Sequence, residues 1–469
     1  MKRRDFLKGL AAGGAAAVVS QARAVDSART AGEFDVCVVG GSCTGVFAAV
    51  RAAAAGMRVA IIERSYFFGG TATAGFVPIW HSLFSLDGSR QIVGGLTQQV
   101  IDRLAARGLA TLNNPKGGKS ESVYCTLNTA ALQDELDRMI RESGVNAFLG
   151  ADFVAAEVDR PGHVTRAIIE DKSGRRAIAA KFFIDCSGDA DLIARAGFET
   201  WKPPREALQA HTLCALVTGV DRIRKAHPGF SFHEVMKPSR GAKLNHVFQW
   251  EASVPGCPET TFLAATRVSA CDPTDADDLT HGMFEARAQL RRIVDAANRA
   301  FPTKDQGLQV AAVAPQLGLR ESRHLCGLYR VTGNDVLSGR EYPDVIAKGT
   351  YRVDIHAGKG IVFRYLDGRE WEMLQDLTTG EIKIRHGRWR PKGPNPECYQ
   401  VPYRAIVPKG SENVLAAGRM LDADREAYGA LRVMVNCNQM GEAAGCAAAK
   451  AVKEHLAAAD AYPGFVSAP

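Results

Sequence analysis

Apolar and polar segments alternate most regularly just after residue 32. Residues 34–39 (FDVCVV) form an apolar run that ends at the glycine pair 40–41, a pattern typical of a buried parallel strand. The Ala-rich segment 46–55 favours a helix, and the apolar run 58–63 predicts a second strand. Strand, glycine turn, helix and strand in this order indicate a βαβ unit.

The rest of the chain continues as an α/β pattern and then loosens. We expect helices at 96–107 and 129–143, a β-rich stretch at 148–185 whose last strand is 181–185, a strand at 413–417 and a long Ala-rich helix at 433–457. Between 201 and 398, Pro, His and aromatic residues become more frequent. This change predicts a second domain inserted into the first.

The first 24 residues have the composition of an export signal. Residues 2–8 (KRRDFLK) resemble the twin-arginine consensus, although Lys2 stands where Ser or Thr is usual. The apolar run 9–19 is too short to span a bilayer, and 22–24 (ARA) matches an A-x-A cleavage site. We expect the twin-arginine translocase to export the folded chain to the periplasm, with cleavage near Ala24. The alternative is a disordered basic N-terminus.

Composition and charge exclude two classes of partner. The 469 residues are 46% hydrophobic and 23% charged, which is ordinary for a globular protein, and no apolar run is long enough for stable membrane insertion. Without residues 1–24 the chain keeps 53 basic and 50 acidic residues, so its net charge falls from +7 to +3. No Lys/Arg cluster remains that is typical of nucleic-acid binding.

The eleven cysteines carry no metal-site pattern. None has C-x-x-C spacing or a zinc-type Cys/His arrangement, and the closely spaced run of an iron–sulfur site is absent. We therefore predict no metal centre. The odd number argues against a disulfide framework, although one or two disulfides stay possible for an exported chain.

The strongest local motif is the loop 40–45 (GGSCTG) between the first strand and its helix. Gly40 allows the tight turn and Gly45 a close approach of helix and strand, while the helix N-terminus attracts a pyrophosphate. Ser42 replaces the middle glycine of G-x-G-x-x-G. Glu63 ends the second strand, where a carboxylate accepts hydrogen bonds from ribose hydroxyls. Alternatively, the loop is a glycine turn of another α/β protein.

Further segments carry a resemblance to a known family. They are 63–73 (ERSYFFGGTAT), 184–191 (IDCSGDAD), 318–323 (GLRESR), 351–356 (YRVDIH), 401–408 (VPYRAIVP), 413–419 (NVLAAGR) and 432–434 (RVM). With them the sequence resembles the FAD-dependent oxidoreductase family of the glutathione-reductase-type flavoproteins, which is related to the flavin subunit of heterodisulfide reductase. The resemblance covers nearly the whole chain after the signal.

The resemblance implies a fold, a cofactor and the residues that hold it. It implies an FAD/NAD(P)-binding Rossmann-like three-layer domain formed by residues 33–200 and 399–460, with an α+β substrate or cap domain at 201–398. A helix that starts after Val433 would favour the negative charge of reduced flavin. The implied FAD-binding residues are Gly40, Ser42, Thr44, Gly45, Glu63, Arg64, Gly70, Thr71, Val154, Gly188, Asp189, Gly418, Arg419, Arg432 and Val433.

Six residues are candidates for the reaction itself. They are His81, Arg320, Arg323, His356, Tyr403 and Arg404. A histidine can take the proton of a CH–OH group, and an arginine can hold a carboxylate through two hydrogen bonds. The alternative for each arginine is a structural ion pair, and for each histidine a structural role. A covalent flavin link through His81 is a further alternative.

The resulting hypothesis is an enzyme that transfers a hydride between a small organic substrate and FAD in the periplasm. An unidentified electron acceptor would complete the cycle. Three alternatives stay open: an electron-transfer flavin subunit that works with an iron–sulfur partner, a fumarate-reductase-like enoate reductase in which an arginine donates the proton, and a non-catalytic binding protein on a flavoprotein scaffold.

Overall fold

The computed structural model describes residues 28–113, 123–304, 306–357 and 360–466; the signal segment 1–24 lies outside these ranges. The strands are β1 Arg29–Val39, β2 Val59–Glu63, β3 Ile79–His81, β4 Ala110–Asn113, β5 Tyr124–Leu127, β6 Asn146–Leu149, β7 Asp152–Arg160, β8 His163–Asp171, β9 Gly174–Asp185, β10 Thr200–Trp201, β11 Cys214–Thr218, β12 Trp250–Val254, β13 Cys257–Ala264, β14 Gln309–Val313, β15 His324–Leu325, β16 Val345–Gly349, β17 Val353–Ala357, β18 Gly360–Arg364, β19 Arg369–Gln375, β20 Ile382–Arg388, β21 Tyr399–Pro402 and β22 Val414–Ala416. The α-helices are α1 Cys43–Ala54, α2 Gly95–Ala105, α3 Thr129–Glu142, α4 Asp191–Arg195, α5 Val220–Ala226, α6 Phe232–Met236, α7 Ala276–Ala300, α8 Gly333–Ser338, α9 Arg425–Leu431 and α10 Met434–Glu454.

The main sheet has seven strands. Six follow one another in the order β6-β2-β1-β9-β8-β7, and the seventh, β22, pairs with β9. Strands β6, β2, β1 and β9 run parallel to one another. On its other edge, β9 pairs antiparallel with β8 along its first half, and its last three residues pair parallel with β22. The strand predicted at 413–417 thus completes the parallel part of the sheet from the far end of the sequence.

Each of the first two strands serves two hydrophobic cores because its side chains alternate between the faces of the sheet. Val36 and Val38 pack with α1, α2, α3 and α10 on one face. Cys37 and Val39 face the opposite side, where they pack with side chains of the antiparallel strands β7 and β8 and of α4. Helices, parallel sheet and antiparallel strands form the three layers, so the predicted fold class is confirmed.

Helix α10 packs on α1 without room for side chains at two positions. A Cβ on Gly441 would lie 2.2 Å from the backbone oxygen of Thr44, and one on Gly445 would lie 2.2 Å from that of Ala48. These glycines let the C-terminal helix lie against the helix that begins at the glycine loop. Both helices were predicted; α1 begins three residues earlier than expected because Ser42 caps it.

The region 201–398 contains two further four-stranded sheets. One has the order β12-β13-β11-β14 and packs with α5, α6 and α7 around a separate core. The other is the meander β17-β18-β19-β20. Several side chains of this region, including Val336, Ile346 and Val353, join the first core of the main sheet. The domain boundaries at 201 and 398 stay predictions.

All eleven cysteines are free thiols, and seven of them are buried: Cys37, Cys43, Cys125, Cys186, Cys214, Cys271 and Cys437. Cys446, in α10, is partly exposed. The described ranges contain no group of three or more His, Cys, Asp or Glu residues placed to hold a metal. Within the same ranges, no helix has both the length and the apolar character needed to cross a bilayer.

A buried carboxylate joins three helices. Glu442 on α10 accepts hydrogen bonds from Nε of Arg51 at 2.9 Å and from the backbone amide of Leu96, at the start of α2, at 3.2 Å. We expect Glu442→Gln to lower the free energy of unfolding by about 1–3 kcal/mol, because it weakens a buried charge-assisted network. Urea unfolding measures this change.

The matched control is Glu397→Gln. Glu397 pairs with Arg90 at 2.6 Å, but the two side chains are 47% and 56% exposed, so we expect a change below about 1 kcal/mol. Equal losses in the two variants would contradict the structural role assigned to Glu442.

Candidate active site

The glycine loop brings three backbone segments into close contact. Gly40 has a φ of +102°, and a Cβ there would lie 2.4 Å from the backbone oxygen of Cys186. A Cβ on Gly45 would lie 1.9 Å from the oxygen of Gly40. Only glycine satisfies both positions, so the N-terminus of α1 lies directly against the ends of β1 and β9.

The start of α1 offers amide donors beside a carboxylate. Oγ of Ser42 accepts the amide of Gly45 at 3.3 Å, whereas the amides of Cys43 and Thr44 belong to the first turn and have no intrahelical acceptor. The carboxylate of Glu63 accepts the amide of Gly41 at 2.7 Å. This arrangement suits a pyrophosphate at the helix N-terminus and a ribose beside Glu63.

A second loop, after β9, carries a buried ion pair. Nη2 of Arg419 lies 2.5 Å from Oδ1 of Asp189, which also accepts the hydroxyl of Ser322 at 2.6 Å. Gly188 has a φ of +85°, and a Cβ there would lie 2.4 Å from the guanidinium of Arg419. Nε of Arg419 is buried without a hydrogen-bond partner among the described residues. A buried donor of this kind suits a polar cofactor group.

The remaining residues implied for FAD lie around the same end of the sheet. Gly70 touches the loop, since a Cβ there would lie 2.9 Å from Cβ of Ser42, and Thr71 follows it in the same short helical turn. Arg64 is exposed and donates to Gln316 at 3.1 Å. Val154 lies where the pairing of β7 with β8 shifts register, so it has no partner in the ladder.

The closing motif leads to an uncapped helix. Gly418 has a φ of +132°. Further along the chain, Arg432 follows the last residue of α9, and Val433 precedes α10. No side chain caps the N-terminus of α10. Together with the glycine cradle and the unpartnered Arg419 nitrogen, these features fit FAD.

Next to this helix end, Asp354 on β17 is the centre of a polar cluster. Its carboxylate accepts the phenol of Tyr351 at 2.8 Å and lies 3.1 Å from Nε2 of His356 and 3.4 Å from Nη2 of Arg432. Burial alone would raise the pKa of Asp354, but His356, Arg432 and Arg352 hold it well below its ordinary value. Asp354 is therefore ionised.

His356 is buried and neutral. Burial first, and then the charge of Arg320, lower its pKa to about 4. Nε2 faces Asp354, and Nδ1 lies 3.4 Å from Nη1 of Arg267. A proton on Nε2 faces the negative carboxylate, and Nδ1 then carries the lone pair, which accepts a hydrogen bond from Nη1 of Arg267. The backbone amide of His356 donates to Oε1 of Gln209 at 3.2 Å.

Arg320 lies in the segment before β15, and its charge acts on His356 of the cluster. Its Nη1 donates to the backbone oxygen of Ala210 at 2.5 Å and to the hydroxyl of Thr212 at 2.8 Å. Burial and the charge of Arg432 lower the pKa of its guanidinium to about 10. The hydroxyl of Tyr428, on α9, donates to the backbone oxygen of Arg320.

His81, at the end of β3, reaches the cluster through an aromatic contact. Its ring centroid lies 5.2 Å from that of Tyr351. Burial and the charge of Arg352 lower the pKa of His81 to about 3. Its Nδ1 is buried and has no hydrogen-bond partner among the described residues. The structure thus brings together three of the six candidates: His81, Arg320 and His356.

The other three candidates have different surroundings. Arg323 donates to the backbone oxygen of Asp189, at 3.2 Å, in the loop after β9. The phenol of Tyr403 donates to the backbone oxygen of Ala458 at 2.6 Å. Arg404 forms an ion pair with Asp344 at 2.9 Å. None of these contacts involves the Asp354 cluster, so the structure does not bring these three residues to it.

Sequence reasoning missed four residues of the cluster: Tyr351, Asp354, Arg267 and Gln209. One signal was available. Asp354 and His356 are two residues apart in a strand and so share a face of the sheet. Arg267 and Gln209 come from distant segments that match no motif.

The buried neutral histidines predict loss of stability in acid. Burial lowers the pKa of His81 to about 3 and that of His211, His246 and His356 to about 4 each, from an ordinary 6.5. Between those values the unfolded chain binds protons that the folded chain excludes, so stability is full above 6.5 and falls towards pH 4. Asp185 opposes this with one proton, because burial raises its pKa to about 6.

We expect the free energy of unfolding to fall by about 1.4 kcal/mol per pH unit for each net proton. Urea unfolding at a series of pH values measures the slope. The variant His246→Gln, outside the Asp354 cluster, should reduce the slope by close to one proton. A free energy of unfolding that is constant between pH 6.5 and about 4 would show that these histidines are not buried as described.

The three-layer fold and the loop at α1 define a dinucleotide-binding α/β enzyme. The chain belongs to a family described as FAD dependent oxidoreductase, whose profile matches residues 35–462. It is therefore an FAD-dependent oxidoreductase, as the sequence motifs implied. Residues 1–20 match a twin-arginine translocation signal, so the chain carries an export signal.

Several solved structures are similar to this fold at low sequence identity. p-Nitrophenol 4-monooxygenase PnpA from Pseudomonas putida DLL-E4 is 13% identical, with a TM-score of 0.46 over 92% of this chain and 84% of that chain. A geranylgeranyl bacteriochlorophyll reductase-like protein from Thermoplasma acidophilum is 12% identical, with a TM-score of 0.43 over 90% and 79%. The flavin-dependent brominase Bmp2 is 13% identical, with a TM-score of 0.43 over 90% and 80%. No curated protein matches the chain.

Proposed function

We propose that the protein transfers a hydride between a small organic substrate and FAD at the Asp354 cluster. One observation carries the proposal: Arg432, which follows α9 and stands just before the uncapped α10, also donates to the backbone oxygen of Asp354 at 3.2 Å. The helix end suited to the flavin ring and the cluster suited to a substrate are therefore joined by one side chain.

The FAD would be held by the loop 40–45, Glu63, the Asp189–Arg419 pair and the start of α10. When bound, FAD supplies the acceptor or donor of the hydride. The chain itself manages the substrate proton. Asp354 lies beside Nε2 of His356 and favours a proton there, so Nδ1 is the atom that takes the proton of a CH–OH group once the substrate hydroxyl replaces its contact with Arg267. His81, whose Nδ1 is buried and unpartnered, is the second acceptor for a substrate hydroxyl.

One alternative reaction has an observation in its favour. In a fumarate-reductase-like enoate reductase, an arginine donates the proton. The pKa of Arg320 is lowered to about 10 by burial and neighbouring charge, which makes its guanidinium a better proton donor than an exposed one. Reduction of an enoate by the dye-reduced enzyme, without oxidation of any hydroxy acid, would favour this reading.

Export by the twin-arginine route supports a location in the periplasm, with cleavage near Ala24. The translocase carries folded proteins, which suits a chain that acquires FAD before export. The electron acceptor is then a component of that compartment. N-terminal sequencing of the protein recovered from a periplasmic extract tests both statements, because an intact residue 1 or a cytoplasmic location would contradict them.

The first experiment is a visible spectrum of the purified protein, before and after acid precipitation. We expect flavin bands that move to the supernatant, followed by anaerobic bleaching with a 2-hydroxy acid such as lactate, malate or mandelate. A yellow pellet would indicate a covalent link and direct attention to His81. A folded, colourless protein that takes up no added FAD would overturn the proposal.

A further inference from the structure

We propose that the substrate carries a carboxylate group, which Arg320, Arg432 and Gln209 bind within the Asp354 cluster. The inference rests on the proposed function and names the chemical class of its substrate. It rests on hydrogen-bond donors of these three side chains that have no acceptor among the described residues.

Arg320 supplies the most suitable edge for a carboxylate. Its Nη1 is bonded to two neutral oxygens, of Ala210 and Thr212. Among the described residues its guanidinium is hydrogen-bonded through Nη1 alone, which leaves Nε and Nη2 for a ligand. Nε and Nη2 form the side of the guanidinium that binds a carboxylate through two parallel hydrogen bonds. The backbone and hydroxyl contacts hold this edge in place.

Two further donors lack acceptors. Nε of Arg432 and Nε2 of Gln209 are both buried and have no hydrogen-bond partner among the described residues. Gln209 is fully buried, and its Oε1 already accepts the amide of His356, which fixes the orientation of the amide group. A buried donor without an acceptor is destabilising, and several such donors together indicate a ligand rich in acceptor atoms.

The charges point to an anion. In the described ranges, Asp354 is the only carboxylate that contacts Arg320 or Arg432, and it contacts Arg432 alone, at 3.4 Å. Arg267 adds a third guanidinium, 3.4 Å from His356. Burial and the charges of Arg432 and Arg267 lower the pKa of Arg320 to about 10, so these cations repel one another. A carboxylate between them would offset this repulsion.

Binding of the carboxylate would also prepare His356 for its role. The groups around its ring are Asp354, Arg267, Arg320 and Arg432, and the two last lower its pKa. Burial is the main cause of this low pKa and the charge of Arg320 the next; an anion that pairs with Arg320 and Arg432 offsets the charge effect, so the pKa of His356 rises above about 4. Only an anionic substrate would therefore raise the basicity of the residue that takes its proton.

Equilibrium binding to the FAD-loaded enzyme tests the proposal. The probes are pairs of nearly the same shape, in which an uncharged amide replaces the carboxylate: acetate and acetamide, malonate and malonamide, benzoate and benzamide. Each is titrated while the flavin absorption spectrum is recorded. We expect at least one carboxylate to perturb the spectrum with a Kd about tenfold or more below that of its amide.

Substitutions locate the site. Arg320→Gln should raise the Kd of that carboxylate about 10- to 100-fold without loss of bound FAD, and Arg320→Lys should have an intermediate effect. Gln209→Glu keeps the shape of the side chain and adds an internal carboxylate, so it too should weaken binding. Arg160→Gln, which removes a surface ion pair with Glu412, is the control and should leave the Kd unchanged.

The outcomes distinguish a substrate carboxylate from FAD as the ligand that supplies the acceptor atoms. If Arg320→Gln lowers FAD affinity and carboxylates do not bind, the donors serve the flavin carbonyls and the inference is wrong while the proposed function stands. Equal binding of acid and amide, or tighter binding of inorganic phosphate than of malonate, would also overturn it. A protein that binds no FAD would instead reject the proposed function.

Discussion

Replacing His356 with Gln should slow flavin reduction by the substrate about 10²- to 10⁴-fold, the usual contribution of a positioned general base. Gln keeps a polar side chain of similar length beside Asp354 but has no basic nitrogen. The measurement is the anaerobic rate of flavin bleaching with the hydroxy acid found active in the screen, followed as a function of pH. In the variant, the ionisation of His356 should be missing from the pH profile.

The control is His163→Gln, at a surface position where His163 contacts Asp159 at 2.7 Å. It should reduce flavin at the unchanged rate. Both variants should retain bound FAD. If His356→Gln loses FAD, or bleaches at the full rate with the same pH profile, the residue does not act as the base.

Gly45→Ala should remove most of the bound FAD. The new methyl carbon would lie 1.9 Å from the oxygen of Gly40 and 3.2 Å from Cβ of Cys186. The nearest atom is backbone, so no side chain can rotate away and α1 must move off the end of β1. We expect the free energy of unfolding to fall by about 1–3 kcal/mol, and the fraction of protein that is purified with flavin to fall at least tenfold.

The matched substitution is Gly229→Ala. It adds the same methyl group where no atom lies within 4 Å and where the backbone does not require glycine, so stability and flavin content should stay unchanged. The ratio of flavin to protein absorbance and urea unfolding measure both effects. Normal flavin content in Gly45→Ala would mean that the N-terminus of α1 does not hold the pyrophosphate.

The sequence predicted the parts of the fold that depend on local patterns. The strands β1 and β2, the helix α1 and the loop between them follow from apolar runs and glycines within a short segment. The long helix α10 follows from its Ala-rich composition. These elements are also the ones proposed to hold FAD. The cofactor was therefore predictable from the motif residues, with the family resemblance deciding between FAD and NAD.

The Asp354 cluster was less predictable because its members are far apart in sequence. Arg267 follows β13, Asp354 and His356 lie on β17, and Arg432 follows α9. Motif matching found His356 and Arg320 but equally proposed Tyr403, whose phenol is bonded to the backbone of Ala458. A motif shows which residues recur in a family, whereas only the tertiary packing shows which side chains share a cavity.

The contact between α10 and α1 determines the stage of synthesis at which the proposed FAD site is complete. The glycine loop 40–45 is synthesised long before the helix that lies against it, Met434–Glu454. Strand β22, which completes the sheet beside β9, is also made late. A growing chain that does not yet include α10 therefore has the loop 40–45 but not the helix that packs on it. We therefore expect FAD to be captured only after α10 has been synthesised and has folded onto α1.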